Sequence, residues 1–474
     1  MTEHNFDLIS VGGGYAGLVA ASRAAQLGLK AAVLERGSDA LYACNSRFAG
    51  GVMHVSYHDP KSPSDVLTAA INEICAGNAD AELVNAIATN AGRAVEWLRD
   101  EGAKFARVGN VSWRQWILSP PRPAVTQMDW KGRGADVALR TLEKNLGERG
   151  GVLHRNTQVI DLILENGCCM GVRAKQGDAD VTFRARAVVL ADGGFQGNAD
   201  MAGQHLTPAP QRVKQRGAGT GLGDGIRMAQ AAGADLSTLD AFYGHVLSRD
   251  AMHNERVWPY PQLDELAAAG LLVNQSGQRI GDEGMGGVYL ANMIARQPDP
   301  LATTVIFDDT IWQGPGRAAA IPPNSTLLGA GGTLHKADTI AALAVKLDMD
   351  ASSLEATVQN YNAALTADTL NTLQPPRSAR RRKPFAIAQP PFYGAPACCG
   401  LTYTMGGVRI SGHAEVLRAD RSAIPGLYAA GATSGGLEGG PAVGYVGGLI
   451  KALTFGLLAA EHTARSLSTS PEKP

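Results

Sequence analysis

The chain has no apolar run approaching the ~18 residues that a membrane-crossing helix needs, so no span is expected. It has no surplus of either charge. Lys and Arg number 43 against 44 Asp and Glu, a net charge of −1, and nothing in that balance favours nucleic acid or an anionic lipid surface. Its six cysteines (Cys44, Cys75, Cys168, Cys169, Cys398 and Cys399) form no CxxC, no haem-attachment CxxCH and no zinc-ligand spacing. No metal site is therefore expected, and buried thiols in a reduced, cytoplasmic setting are the simple reading. The first strand is predicted from residue 6, which leaves no room for a secretion signal.

What the chain does have is glycine, 57 of 474 residues, and its glycines mark both ends. Residues 6–11 predict a buried strand of a parallel sheet. Gly12-Gly13-Gly14-Tyr15-Ala16-Gly17 follows at once, then a helical pattern closed by Gly28. Gly12 permits the tight turn, Gly14 lets backbone approach a pyrophosphate, and Gly17 lets helix pack on strand. The helix N-terminus offers free N–H groups and a positive dipole end to that pyrophosphate. A second strand, residues 31–34, ends at Glu35, an acid suited to a ribose hydroxyl pair. Near the other end lies Ile424-Pro425-Gly426-Leu427-Tyr428-Ala429-Ala430-Gly431. A glycine-dense loop over 435–448 then leads into a helix over 449–462. Backbone N–H groups of that loop, with a helix dipole behind them, would stabilise an anionic reduced flavin.

The middle of the chain differs. Residues 134–149 predict an amphipathic helix, 152–159 and 172–186 a small antiparallel sheet, and 187–195 another buried strand with glycines after it. From about 240 to 395 tryptophans, prolines and a helix over 352–365 suggest an inserted domain. Its basic, proline-rich segment 374–383 reads as a solvated loop. The expected organisation is α/β: a Rossmann-like FAD-binding domain from 1–240 and 396–474, combining a parallel sheet, helices and the small antiparallel sheet. An α+β cap is expected over 241–395.

As a set these residues resemble the fumarate reductase/succinate dehydrogenase flavoprotein superfamily, which includes 3-ketosteroid and tricarballylate dehydrogenases. The resemblance covers nearly the whole chain. It rests on the N-terminal glycines, Asn45-Ser46-Arg47-Phe48-Ala49-Gly50-Gly51, Ala191-Asp192-Gly193-Gly194-Phe195 and Gly223-Asp224-Gly225. It also rests on 274–283 (with Arg279 and Glu283), Thr404-Met405-Gly406-Gly407-Val408 and 425–431. It implies FAD, a cap closing over the flavin, and hydride transfer between flavin N5 and a carbon beside a carbonyl or carboxylate. The implied FAD contacts are Gly12, Gly14, Ala16, Gly17, Glu35, Arg36, Asn45, Ser46, Gly50, Gly51, Val159, Ala191, Gly193, Asp224, Arg279, Glu283, Gly431, Gly447 and Gly448.

Departures from the family pattern set the branch. The acid/base arginine of fumarate reductases falls at Gly287 here, their substrate histidine at Tyr403, and their last-loop arginine has no counterpart between 422 and 464. Fumarate reduction is not expected. Cys44 or Asn45 stands where membrane-complex members carry a flavin-linking histidine, so the FAD is expected to be non-covalent. Asp192 replaces a common Thr and Ala432 a common Glu.

The candidate catalytic residues are Tyr403, Tyr445, His245 and Arg249, each weighed against an ordinary packing or surface role. Phenols and a backbone N–H can hold a ketone and make its α-proton easier to remove. His245 can serve as acid or base, and Arg249 can bind a carboxylate. Glu438 could touch substrate or replace the family's ribityl contact. The expected reaction is FAD-dependent desaturation next to a carbonyl of a cyclic ketone or oxo-acid, with oxygen, a quinone or a carrier as electron acceptor. The alternatives are the reverse enone or enoate reduction, a tricarballylate-like oxidation using Arg249, Arg256 and Arg279, and a non-catalytic flavin sensor.

Overall fold

Leu8, Ile9, Ser10 and Val11 are all buried at the end of β1 (Thr2–Val11). Burial at four successive positions, without alternation between a buried and an exposed face, suits a strand covered on both faces. The computed structural model describes residues 2–319, 321–379 and 381–469. β1 leads through the glycine turn into α1 (Tyr15–Gln26) and then β2 (Ala31–Leu34). β1 lies parallel to β2 on one side and to β3 (Ala179–Leu190) on the other. Strand Val152–His154 extends the sheet beyond β2. The late strand Ala423–Ala429 extends it beyond β3, with Leu427 opposite Val188. The expected small antiparallel sheet is part of this layer: Thr157–Glu165 and Cys168–Gln176 form a hairpin that pairs onto β3.

The C-terminal helix Gly448–Thr469 runs against α1. Their backbones approach so closely that a Cβ on Gly456 would sit 2.7 Å from the Ala16 carbonyl oxygen. Small residues make this possible, since Ala16 and Gly456 carry almost no side chain to separate the axes.

The cap is built on a second sheet. β4 (Phe242–Ser248) pairs antiparallel with β5 (Phe392–Thr404), which pairs in turn with Thr303–Asp308, and that strand with Leu271–Asn274. Lys214–Gln215 adds to β5 in parallel. The expected boundary after residue 395 therefore falls inside β5, and residues 214–215 contribute to the cap sheet from before residue 240. β5 enters the cap at one end and reaches the flavin-side loops at the other.

One expectation changes in the cap. The basic segment 374–383 is not wholly solvated. Arg377 is 1% exposed and donates to the Ala268 carbonyl, while Arg380 lies outside the described residues. Arg279 and Glu283 form a buried ion pair, and Arg279 also donates to the Pro375 carbonyl at 2.6 Å. They lock that segment onto the cap interior. All six cysteines are free thiols. Among the described residues no helix is long and apolar enough to cross a membrane.

Candidate active site

A cavity of about 1330 Å³ runs from the N-terminal glycine turn to the cap. Its first half is made by backbone. Gly12 has φ +101°, and a Cβ there would meet the Ala191 carbonyl oxygen at 2.7 Å. A Cβ on Gly17 would lie 2.0 Å from the Gly12 oxygen. Steric closeness makes both positions glycine. Beyond the turn, the N–H groups of Gly14 and Ala16 have no acceptor among the described residues and line the cavity. The Tyr15 N–H donates to Ser46 Oγ at 2.9 Å. The Glu35 carboxylate at the end of β2 accepts from the Gly13 and Gly37 N–H groups at 2.8 and 2.6 Å. Arg36 donates to the Thr220 carbonyl at 3.0 Å and lies 3.5 Å from Asp224.

The second half is aromatic and lies between the glycine-rich loop and β4. Tyr445 stacks on Tyr243 with ring centroids 4.0 Å apart, and Tyr403 lies 5.5 Å from Tyr243. His54 stacks on Tyr57 at 5.0 Å, and Trp113 stands edge-on to both rings. Tyr243 and His245 are two residues apart on β4 and so share a face. The Tyr243 hydroxyl is 3.0 Å from His245 Nε2, and His245 Nδ1 is 2.6 Å from Asp264 Oδ2. An ionised carboxylate only accepts, which assigns the Nδ1 proton to the Asp264 bond and leaves Nε2 to accept from Tyr243. Burial lowers the His245 pKa below the usual histidine value, against the pull of Asp264, so the ring is neutral near pH 7. Burial raises Tyr243 to about 12.

A family model for the FAD binding domain matches residues 7–444. The chain belongs to the FAD-binding family. Among its relatives, a 3-oxosteroid 1-dehydrogenase of Mycobacterium tuberculosis (strain ATCC 25618 / H37Rv) is 32% identical over 350 residues, 67% of this chain and 61% of that protein. The chain thus spans about three-fifths of the length of that relative. The fumarate reductase (cytochrome) of Shewanella frigidimarina is 27% identical over 471 residues, 97% of this chain and 77% of that protein. The same fold is seen in a 3-ketosteroid-Δ4-(5α)-dehydrogenase from Rhodococcus jostii RHA1, with a TM-score of 0.73 and 23% identity. That match covers 98% of each chain.

The cavity fits FAD on its own chemistry. Unpaired N–H groups at the start of α1 suit a pyrophosphate, and Glu35 suits a ribose. Gly50 and Gly193 are open to the cavity, with no protein atom closer than 3.8 Å to a Cβ built on either. Of the residues expected to touch FAD, Gly12, Gly14, Ala16, Glu35, Arg36, Asn45, Ser46, Gly50, Gly51, Val159, Ala191, Gly193, Asp224, Gly431 and Gly448 line this cavity. Asn45 also ties the loop segments together. It donates to the Thr402 carbonyl and accepts from the Ala218 N–H, both at 2.7 Å.

Four flavin-binding assignments do not match the geometry. Gly17 stands behind the turn, and Arg279 and Glu283 are spent inside the cap. The Gly447 N–H turns inward to Glu438 at 3.1 Å. Among the catalytic candidates, Tyr403, Tyr445 and His245 line the cavity. Arg249 does not; its guanidinium donates to the Thr303 carbonyl. Arg256 donates to the Gly329 carbonyl, so Arg249, Arg256 and Arg279 do not converge on a polycarboxylate.

Glu438 organises the flavin-side loop. Its carboxylate accepts from the Tyr403 hydroxyl at 3.0 Å and from the Val446 and Gly447 N–H groups, and Lys451 Nζ lies 3.4 Å away. Neither Lys451 nor Asp264, Tyr243, Arg122 and Arg216 were singled out in the sequence. The period-two spacing of Tyr243 and His245 was the one usable signal among them.

Asp192 carries a testable electrostatic signature. Burial raises its pKa to about 6, against hydrogen bonds from the Gly225 N–H and Thr433. The folded protein therefore keeps a proton that the unfolded chain releases near pH 4. The stability this gives is full below that pH and is lost as pH rises through 6. Asp192→Asn removes the charged form. It is expected to stabilise the FAD-free protein by about 1–2 kcal/mol at pH 8 and much less at pH 4.5. Thermal unfolding at both pH values measures this, and equal shifts at the two would contradict it.

Proposed function

We propose that this chain is an FAD-dependent dehydrogenase that introduces a carbon–carbon double bond next to a carbonyl, on a ring-bearing ketone or oxo-acid. The observation that carries the reading is the Asp264–His245–Tyr243 chain, which opens beside Tyr445 in the cavity's aromatic half. FAD, held without a covalent link by the α1 N-terminus, Glu35 and the glycine segments, supplies the hydride acceptor. Tyr445 holds the substrate carbonyl and makes the neighbouring C–H acidic. Tyr243 takes that proton as it passes its own to His245 Nε2, and Asp264 stabilises the resulting imidazolium. Tyr403, its hydroxyl turned to Glu438, supports the ring stack. The aromatic walls exclude water and favour a flat or cyclic substrate.

The same proton chain run backwards delivers a proton to an enone, and the redox potential of the donor sets the direction. Oxygen, a quinone or a separate carrier serves as the acceptor. The test is anaerobic absorbance of the yellow protein with cyclic ketones, oxo-acids, 3-ketosteroids, tricarballylate and succinate. Bleaching by a cyclic carbonyl compound is expected. Reoxidation of dithionite-reduced protein by an enone, without bleaching by any ketone, would reverse the assigned direction. Electron exchange with no member of either set would leave a flavin-binding sensor.

A further inference from the structure

Two arginines stand at the substrate end of the cavity without an acid to balance them. Arg216 is 7% exposed; one of its nitrogens donates to Thr402 Oγ1 at 3.0 Å, and its Nε has no partner. Arg122 is half-buried and donates to the Phe48 carbonyl at 2.7 Å and the Tyr260 hydroxyl at 3.2 Å. Both guanidiniums face the Tyr260 ring, Arg122 at 5.6 Å and Arg216 at 6.0 Å. Neither has an ion-pair partner among the described residues. Of the nearby acids, Asp264 is engaged by His245 and the Val246 N–H, and Glu265 pairs with Arg382. Burial raises the Tyr260 pKa, but Arg122 and Arg216 outweigh it and leave the phenol below its usual value.

Burying cationic groups side by side is costly unless an anion joins them. Guanidinium matches a carboxylate in planar, two-pronged geometry. Arg216 immediately precedes the stretch that Asn45 anchors, and its partner Thr402 is next to Tyr403 in β5, so the positive charge lies beside the aromatic chamber.

Resting on the dehydrogenase reading above, we propose that Arg122 and Arg216 form a carboxylate clamp. The substrate is then an oxo-acid, gripped at its carboxylate while its carbonyl end reaches Tyr445 and Tyr243. A neutral ketone is not the natural ligand.

The experiment is a flavin difference-spectrum titration of the FAD-loaded protein. Two acids, benzoate and 4-oxocyclohexane-1-carboxylate, are compared with the neutral benzamide and methyl 4-oxocyclohexane-1-carboxylate. Each acid is expected to bind about 10- to 100-fold more tightly than its neutral counterpart. Arg216→Met should remove that advantage and leave neutral binding unchanged, and Arg216→Lys should restore part of it. FAD stoichiometry and circular dichroism confirm that each variant is folded. Equal binding of acid and neutral forms overturns the proposal, as does failure of both acids to bind. A variant that loosens FAD itself while keeping the acid preference also overturns it, and gives the arginines to the cofactor. Binding needs no turnover, so the two readings fail separately. Acids that bind but exchange no electrons would sink the dehydrogenase reading alone. An ester that reduces the flavin as well as its acid would sink the clamp alone.

Discussion

Tyr243→Phe and His245→Ala are each expected to lower the rate of flavin reduction by about 10²- to 10⁴-fold, the usual range for a positioned acid or base. FAD content should stay the same, because neither residue belongs to the dinucleotide half of the cavity. The two losses should not add. Tyr243 and His245 act as one proton path, so the double variant falls little below either single one. The pH profile adds a second readout. The folded His245 pKa lies below the ordinary histidine value, so the neutral ring persists as pH falls, and the acid limb of the wild-type rate should lie below pH 6.5. Asp264→Asn should move that limb further down by removing the carboxylate that favours the imidazolium. Single-turnover stopped-flow reduction across pH measures all of these. A Tyr243→Phe enzyme that reduces its flavin at the wild-type rate would remove Tyr243 from the mechanism.

Glu438→Ala is expected to cost about 3–5 kcal/mol of stability, the range for breaking a buried ion pair from one side. It leaves the Lys451 ammonium, 1% exposed, with the Ser434 carbonyl as its remaining acceptor at 2.9 Å. It also strands the Tyr403 hydroxyl and the Val446 and Gly447 N–H groups. Lys451→Met should cost clearly less, because Glu438 would keep its three other donors. This asymmetry separates a carboxylate that anchors the loop from one that merely balances a charge. Denaturant unfolding at saturating FAD reads both variants, and equal losses would contradict the anchoring role.

The dinucleotide half of the site was legible in the sequence because its demands are local. Gly17 is imposed by the Gly12 carbonyl within one turn, Gly12 takes a positive φ in that turn, and Glu35 follows the next strand directly. The cap was legible as an insertion, but its edges were not. β5 carries apolar residues continuously across residue 395, with no composition change at the point where the chain leaves the cap. The chemistry of the aromatic half was harder to read. Asp264 reaches His245 from a short helix, and Arg122 and Arg216 come to the same Tyr260 ring from distant segments that no spacing links. Gly447 illustrates a different limit. A Cβ there would meet the His54 carbonyl oxygen at 2.4 Å, which explains the glycine, yet sequence cannot say whether its N–H faces the flavin or Glu438.

The strand Ala423–Ala429 completes a sheet begun by β1, and the helix Gly448–Thr469 closes over α1. On the ribosome these partners emerge at opposite times. The nascent chain holds its glycine turn, Glu35 and Ser46 ready for most of translation, yet lacks Gly431, Glu438 and Gly448. The cofactor site is therefore complete only once residues 431–448 have folded back against α1 and β3, so flavin capture follows the long-range closure of the sheet rather than the local folding of the glycine turn.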